Sequence, residues 1–412
     1  LVNAPELPAD TLINGCYRQM FYGCTSLNFV KALFITTPSS TYTQNWLNNV
    51  SSTGTFIMSD DATWDSTITR GGSTVPSGWT IKKEYADQYL AFEAIESSTF
   101  SFSLNDIQYS LDDGYTWTTL TAGSQTPTVQ AGNHILWKAS GLTPTSSNYG
   151  GIGTFSATGK FNVYGNILSL VNGDNFNSIS SIARYQFASM FRNNTKLVSA
   201  ENLILPSFNN NDAYIFFMSG CSNLTKAPKI SHITLAAECF ARMFERTALT
   251  ETPVFSNATN AANRCYMYMF NGCTSLTKVY PLVHTTLSTN CYCGMFIDCR
   301  ILANAPALPA TTLSTGCYIT MFQNCYALVK SPDLPATTLV TNCYQNMFLN
   351  CTHLTEVHAL FTTEPSDTYT QNWLRNVAAT GTFYKSPSAT WDQTITRGIS
   401  TVPAGWTITN ES

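Results

Sequence analysis

Thirteen cysteines are the residues of this 412-residue chain with the most obvious capacity for chemistry. In principle they could bridge, hold a metal or act as nucleophiles. Their spacing argues otherwise. Six (Cys16, Cys239, Cys265, Cys291, Cys317, Cys343) stand four residues before a Met or its equivalent, and six (Cys24, Cys221, Cys273, Cys299, Cys325, Cys351) follow one. A residue that recurs once per repeat on an apolar stripe is a packing residue, and a free Cys packs as a small hydrophobe. Disulfides between stacked units are the alternative that geometry allows. Cys293 alone lies outside the columns, and one Cys-x-Cys with no second pair or nearby His is a weak metal signal.

Other constellations are sparse. The five His are scattered, and His353 and His358 lack the Glu of a zinc-protease helix. Gly150-Gly151-Ile152-Gly153 sits among turn residues and opens no phosphate-binding helix. No Ser or Cys has a recognisable base. The sequence therefore names no catalytic residue, no metal ligand and no cofactor, and it reads as a non-enzyme. Ser110-x-Asp112-x-Gly114-x-Thr116-Trp117 matches the Asp-box hairpin of sialidase propellers, where Asp ties the turn and Trp packs beneath it. A single copy cannot build a propeller, so Ser110, Asp112, Gly114 and Trp117 are expected to be structural.

What must position these residues is a repeat. Met-Phe recurs at Met243, Met269, Met295, Met321 and Met347, always 26 residues apart, with weaker copies at Met190-Phe191 and Phe217-Met218 and an isolated one at Met20-Phe21. A unit this short cannot bury its own apolar face and must stack. Within a unit, Cys, Met and Cys fall at i, i+4 and i+8, and Tyr and Phe at i+1 and i+5. That stripe predicts a short helix, with Thr315 and Thr341 as N-caps. The half that starts at the Leu column (Leu224, Leu276, Leu302, Leu328, Leu354) reads as a short parallel strand and turn.

In this order of helix, Cys-x-x-Leu, short strand and Leu-Pro turn, the chain resembles the BspA-like, Treponema-type leucine-rich repeats over residues 1–31 and roughly 180–358. It departs from their pattern in its Met column and its second Cys column. The resemblance implies a solenoid with a parallel sheet on one face, found on bacterial surfaces and in phages of gut bacteria, and generally a binding protein.

Residues 32–81 and 359–408 match at an offset of 327, with 37 of 50 positions identical. Each follows a repeat directly, as a solenoid cap should, and Trp46/Trp373, Trp64/Trp391 and Trp79/Trp406 are expected in cap cores. Between the caps, Phe100-Ser-Phe102-Ser-Leu104 and Ile107-Gln-Tyr109-Ser-Leu111 alternate as half-buried strands, and Asp113-Gly114 marks a hairpin turn. The expected class is α+β: the end of a first leucine-rich array at 1–31, its cap at 32–83, an all-β sandwich at 84–178, an array of seven repeats at 179–358 and a second cap at 359–412. Beginning at Leu1 partway through a module, the chain is expected to be part of something longer or to be processed.

Charged residues make up only 11%, against about 25% in ordinary proteins. A neutral coat of Ser, Thr and Asn suits an extracellular or virion surface. The net charge of −4 gives no footprint for nucleic acid, and no apolar run is long enough to insert in a membrane. Two residues after the Leu column stand Lys226, Glu251, Lys278, Asn304, Lys330 and Glu356, with Ser199 before them, a position that should point outward from the sheet. These are the candidate binding residues; solubilising surface pairs are the alternative. The expected partners are a host cell-surface glycan or protein and other virion or surface proteins, with a homo-oligomer left open. Three functions fit: a phage virion appendage or tail protein for host attachment, a bacterial surface adhesin, and a non-catalytic carbohydrate-binding module of a larger enzyme.

Overall fold

The structure, a computed structural model, describes residues 1–85, 87–230, 235–255, 261–392 and 395–411. Two compact units are present, Leu1–Gln88 and Tyr89–Ser412.

The repeats stack as a solenoid, but their Cys-Met-Cys half is not helical. It is a ribbon of tight turns. In one coil Cys317, Ile319 and Met321 donate their amides back to Ser314, Gly316 and Tyr318, three residues earlier. Tyr318, Thr320 and Phe322 donate across to Cys343, Gln345 and Met347 of the next coil. Every second amide is thus satisfied within the coil and every other one between coils. Thr315 and Thr341 are not N-caps; their carbonyls accept from Asn290 and Gly316 of the preceding coil.

The reason lies in a column that the apolar stripe conceals. Every fourth residue is left-handed, as at Asn342, Asn346 and Asn350 (φ 56°, 53° and 65°) or Asn290, Gly294 and Asp298 (φ 54°, 63° and 58°). Asn, Asp and Gly tolerate that conformation best, although Glu238, Arg242, Arg246, Arg264 and Tyr268 adopt it in other coils, and it interrupts a helix each time. A four-residue turn period places Cys, Met and Cys inward as a helix would, which is why the two patterns look alike. Met295, Phe296, Met321 and Phe322 are fully buried, and the rings stack from coil to coil. Tyr266, Tyr292, Tyr318 and Tyr344 form one pile at 5.6–5.9 Å, and Phe244, Phe270, Phe296, Phe322 and Phe348 another at 5.6–5.8 Å.

The strand half is thinner than expected. Through most of the array the coils pair by isolated parallel bridges, Ser199–Lys226, Glu251–Lys278, Asn304–Lys330 and Lys330–Glu356 among them. Pro228, Pro253, Pro306 and Pro332, two residues further on, have no amide to extend the ladder. Full strands return at the two caps, where three parallel strands stack: β1 (Phe29–Ala32), β2 (Gly54–Met58) and β3 (Trp79–Lys83) in the first, and β12 (Glu356–Ala359), β13 (Gly381–Lys385) and β14 (Trp406–Asn410) in the second. Trp46 and Trp373 are fully buried and the other four cap tryptophans nearly so.

The segment between the caps is not the expected sandwich. β4 (Leu90–Ala94), β6 (Ile107–Ser110), β7 (Thr118–Leu120), β8 (His134–Lys138) and β10 (Phe161–Asn166) join β11 (Leu197–Ile204) in one six-stranded sheet. β5 (Phe100–Phe102) and β9 (Phe155–Ala157) form only a two-stranded ribbon. β10 pairs in parallel with β11, at the start of the array, so the main sheet runs into the solenoid instead of closing on a second sheet. Phe92 packs against Phe100, Phe155, Phe161 and Phe191 at 4.8–5.8 Å, and that shared aromatic core joins the two regions.

Candidate binding surface

The outward column forms, and it is internally paired. Lys226 and Lys278 flank Glu251 at 3.6 and 2.9 Å. Lys330 lies 2.8 Å from Glu356, which also meets His358 at 2.7 Å. Asn304, exposed, separates the two clusters along the ladder. The hydrogen bond from Lys278 holds the Glu251 carboxyl below the ordinary range, and those from Lys330 and then His358 do the same for Glu356. Both glutamates are therefore fixed acceptors, ionised and oriented by their neighbours.

Two residues on in each coil lies a second column, which the reading of the sequence did not use. In it Glu201 is exposed and Tyr280 half-buried, while Pro228, Pro253 and His358 are buried. Tyr280 Oη lies 2.7 Å from Lys278 Nζ and 3.4 Å from Glu251 Oε2. His358 is buried, stacked on Tyr384 at 4.3 Å, and its Nδ1 meets Glu411 at 2.8 Å. A groove of about 540 Å³ opens beside the first cluster, with Lys226, Glu251 and Tyr280 in its lining.

The thiols stand apart from this surface. All thirteen are free, and eleven are buried; Cys16 is exposed and Cys24 intermediate. The second column does more than fill space. Cys273, Cys299, Cys325 and Cys351 donate through Sγ to the carbonyls of Phe244, Phe270, Phe296 and Phe322 in the preceding coil, at 3.0–3.3 Å. In the irregular repeat, Thr247 takes the Cys position and donates to Phe244 O within its own coil. Burial pushes the Cys221, Cys239 and Cys291 thiols up to about 12, so they are protonated and poor nucleophiles.

The Asp-box residues close the β6–β7 hairpin. Ser110 Oγ accepts from the Gly114 amide (2.9 Å) and donates to Asp112 Oδ1 (2.7 Å); Asp112 in turn accepts from the Thr116 amide (2.9 Å) and hydroxyl (2.6 Å). Those Thr116 bonds, with that from Ser110, lower the Asp112 pKa. Gly114 has φ +88°, suited to Gly in this turn. Trp117 donates to Gly114 O at 3.1 Å and lies under Lys138 Nζ at 4.2 Å. These bonds to Asp112 all lie within the turn.

Among the described residues no three ligating side chains are placed to hold a metal ion. The two carboxylates on His358 meet opposite ring nitrogens and share no centre. Among the described residues no helix is long and apolar enough to cross a membrane. No protein-family model matches this sequence, and neither the curated proteins nor the solved structures compared with it give a match.

Proposed function

We propose that the chain is a non-enzymatic binding protein of an extracellular surface, built on a divergent BspA-like leucine-rich repeat, and that it serves a phage as a virion appendage or tail protein for attachment to a gut bacterial host. The observation that carries this reading is the outward ladder: one polar residue per coil, repeated in register, with its charges oriented by their neighbours and a groove beside them. A stacked array offers an extended surface with many equivalent contact points, which suits a large cell-surface ligand. The low charge and the modular order of cap, β segment, array and cap suit a particle that works outside cells. The ionised, paired state of Glu251 and Glu356 suits recognition and leaves neither placed to donate a proton.

The test is retention of the purified chain on a panel of gut bacteria. Replacing Lys226, Lys278 and Lys330 together with Ser should weaken retention while leaving the melting temperature nearly unchanged, because exposed pairs contribute little to stability. Retention equal to wild type would remove the ladder from the binding surface. Turnover of a glycan by the wild-type chain would overturn the non-enzymatic reading.

A further inference from the structure

We propose that the groove beside Tyr280 is a site for a short, uncharged oligosaccharide, an inference that rests on the binding reading above and names the ligand class for one part of that surface. The groove lies across successive coils. Tyr280, half-buried, gives it an aromatic face, the buried Pro228 and Pro253 line it, and Val254 is 63% exposed at its edge. Its volume of about 540 Å³ falls within the roughly 300–1,000 Å³ of small-molecule sites, which combine apolar lining with a few placed polar groups.

The ionic groups decide the ligand class. Among the described residues, two lysines, Lys226 and Lys229, and two glutamates, Glu201 and Glu251, line the groove, and Lys278 stands bonded to Glu251 and Tyr280 beside them, so a ligand meets both signs of charge. An anionic sugar, a phosphate or an acidic peptide would gain from the lysines but face both carboxylates. A cationic ligand meets the reverse. An apolar peptide segment would strip water from ionic groups and return no hydrogen bonds, a costly exchange. A neutral saccharide matches both kinds of surface. Its C–H faces stack on Tyr, and its hydroxyls, donors and acceptors at once, bond to carboxylate and ammonium alike.

Pre-organisation supports the same assignment. Glu251 Oε2 accepts from Lys278 Nζ at 2.9 Å, and its Oε1 faces Lys226 at 3.6 Å. Tyr280 is held by its hydroxyl between Lys278 and Glu251. The aromatic platform and the acceptor beside it are therefore fixed to one another, which lowers the ordering cost of binding. Held ionised by Lys278, Glu251 is a ligand for hydroxyls and not an acid for glycosidic cleavage.

The experiment is titration of the full chain with chitotriose, maltotriose and N-acetyllactosamine, with sialyl-lactose as the charged comparator, alongside retention on bacterial cells. At least one neutral sugar should bind, with an affinity that changes less than about twofold between low and high NaCl, since no net charge is neutralised. Tyr280→Ala and Glu251→Gln should each weaken that sugar about tenfold or more, and Tyr280→Phe, which keeps the ring, about threefold or less. Lys160→Ser, which removes the exposed pair with Glu96 away from the ladder, should leave it unchanged, and melting temperatures identify any variant that has failed to fold. The proposal is overturned if no neutral sugar binds at millimolar concentration, if Tyr280→Ala and Glu251→Gln bind as wild type does, or if sialyl-lactose is preferred with an affinity that falls as salt rises. Cells retained by wild type and by both groove variants alike would sink the groove alone. Cells retained by none, with sugar binding intact, would sink the attachment reading alone.

Discussion

Alkali should unfold the array, and the buried thiols set where. Burial raises Cys221, Cys239 and Cys291 from 9.0 to about 12, and Cys273 and Cys343 to about 11. A thiol with a raised folded pKa keeps its proton in the fold while the unfolded chain loses it. Its contribution is intact below pH 9 and is lost as the pH climbs toward the folded value. One pH unit above the unfolded pKa, each such thiol forfeits about 1.4 kcal/mol, so these five together forfeit about 7 kcal/mol near pH 10. That is comparable with the roughly 5–15 kcal/mol that holds a domain folded. The buried tyrosines, whose ordinary value is 10.0, add to the loss only above that point. The assay is a set of thermal melts by circular dichroism between pH 7 and pH 10, in a phosphine reductant. The midpoint should hold to pH 8.5 and then fall by more than about 10 °C. Replacing Cys265, Cys291 and Cys317 with Ala should flatten the fall. A midpoint that moves by less than about 3 °C across the range would refute the reasoning, because the thiols would then not be held protonated by the fold.

Three further outcomes follow from the same packing. Under native conditions an alkylating reagent should reach Cys16 and Cys24 first, and denaturation without reductant should bring intact mass to thirteen additions; a single addition would mean six bridges and a stapled ladder. Met295→Ala, in a fully buried column, should cost about 2–5 kcal/mol in denaturant melts, while Lys330→Ala, removing an exposed pair, should cost under about 1 kcal/mol; equal losses would show the faces to be misassigned. Asn346, left-handed at φ 53°, should lose about 1 kcal/mol as Ala and little or nothing as Gly, and equal losses for the two would contradict the turn ribbon.

The elements legible in the sequence were those that repetition or identity announces: the 26-residue period, the buried columns, the duplicated segments and the hairpin turn at Asp113-Gly114. The turn ribbon was hidden by a coincidence of periods. Inward positions every four residues fit a helical stripe and a chain of turns equally well. The residues between them do not. Asn, Gly or Asp at 290, 294 and 298, and Asn at 342, 346 and 350, occupy positions where a helix would be weakened three times in nine residues. That column also builds a ladder of its own, in which Asn376 donates to Asn350, Asn350 to Asn324 and Asn324 to Asp298, at 2.7–3.2 Å. The prolines two residues after the outward column were equally visible and explain why the coils share single bridges. The expected sandwich does not form: alternation along β5 and β6 tells which faces are apolar but not which strands share a sheet. At the candidate site, the first outward column could be read directly, whereas Tyr280 and His358 lie in the column two residues further on, which that reading did not use.

The two caps test how far position, and not residue type, carries the design, because one chain contains both copies. Much of their cores repeats: Trp79 and Trp406 each donate to a backbone carbonyl at 2.8 Å, and the Thr43 and Thr370 hydroxyls each lie 2.9 Å from the carbonyl of a residue four earlier and 2.7 Å from that of one thirty later. The clasp does not repeat by residue. In the first copy, Lys31 on β1 meets Glu84, just past β3, at 2.8 Å and Glu6 at 3.2 Å. In the second, His358 stands at the matching place on β12, between Glu411, just past β14, and Glu356, both within 2.8 Å. Lysine and histidine share little here but side-chain nitrogen within reach of two carboxylates. What the two copies have in common is therefore a relation. A side-chain nitrogen on the first strand of the cap is held by a carboxylate that follows the third, so the outermost strand is tied back across its neighbour. An unpaired edge strand is where a parallel stack would otherwise fray or recruit another chain. The same tie, made by two different side chains, holds that edge in both copies.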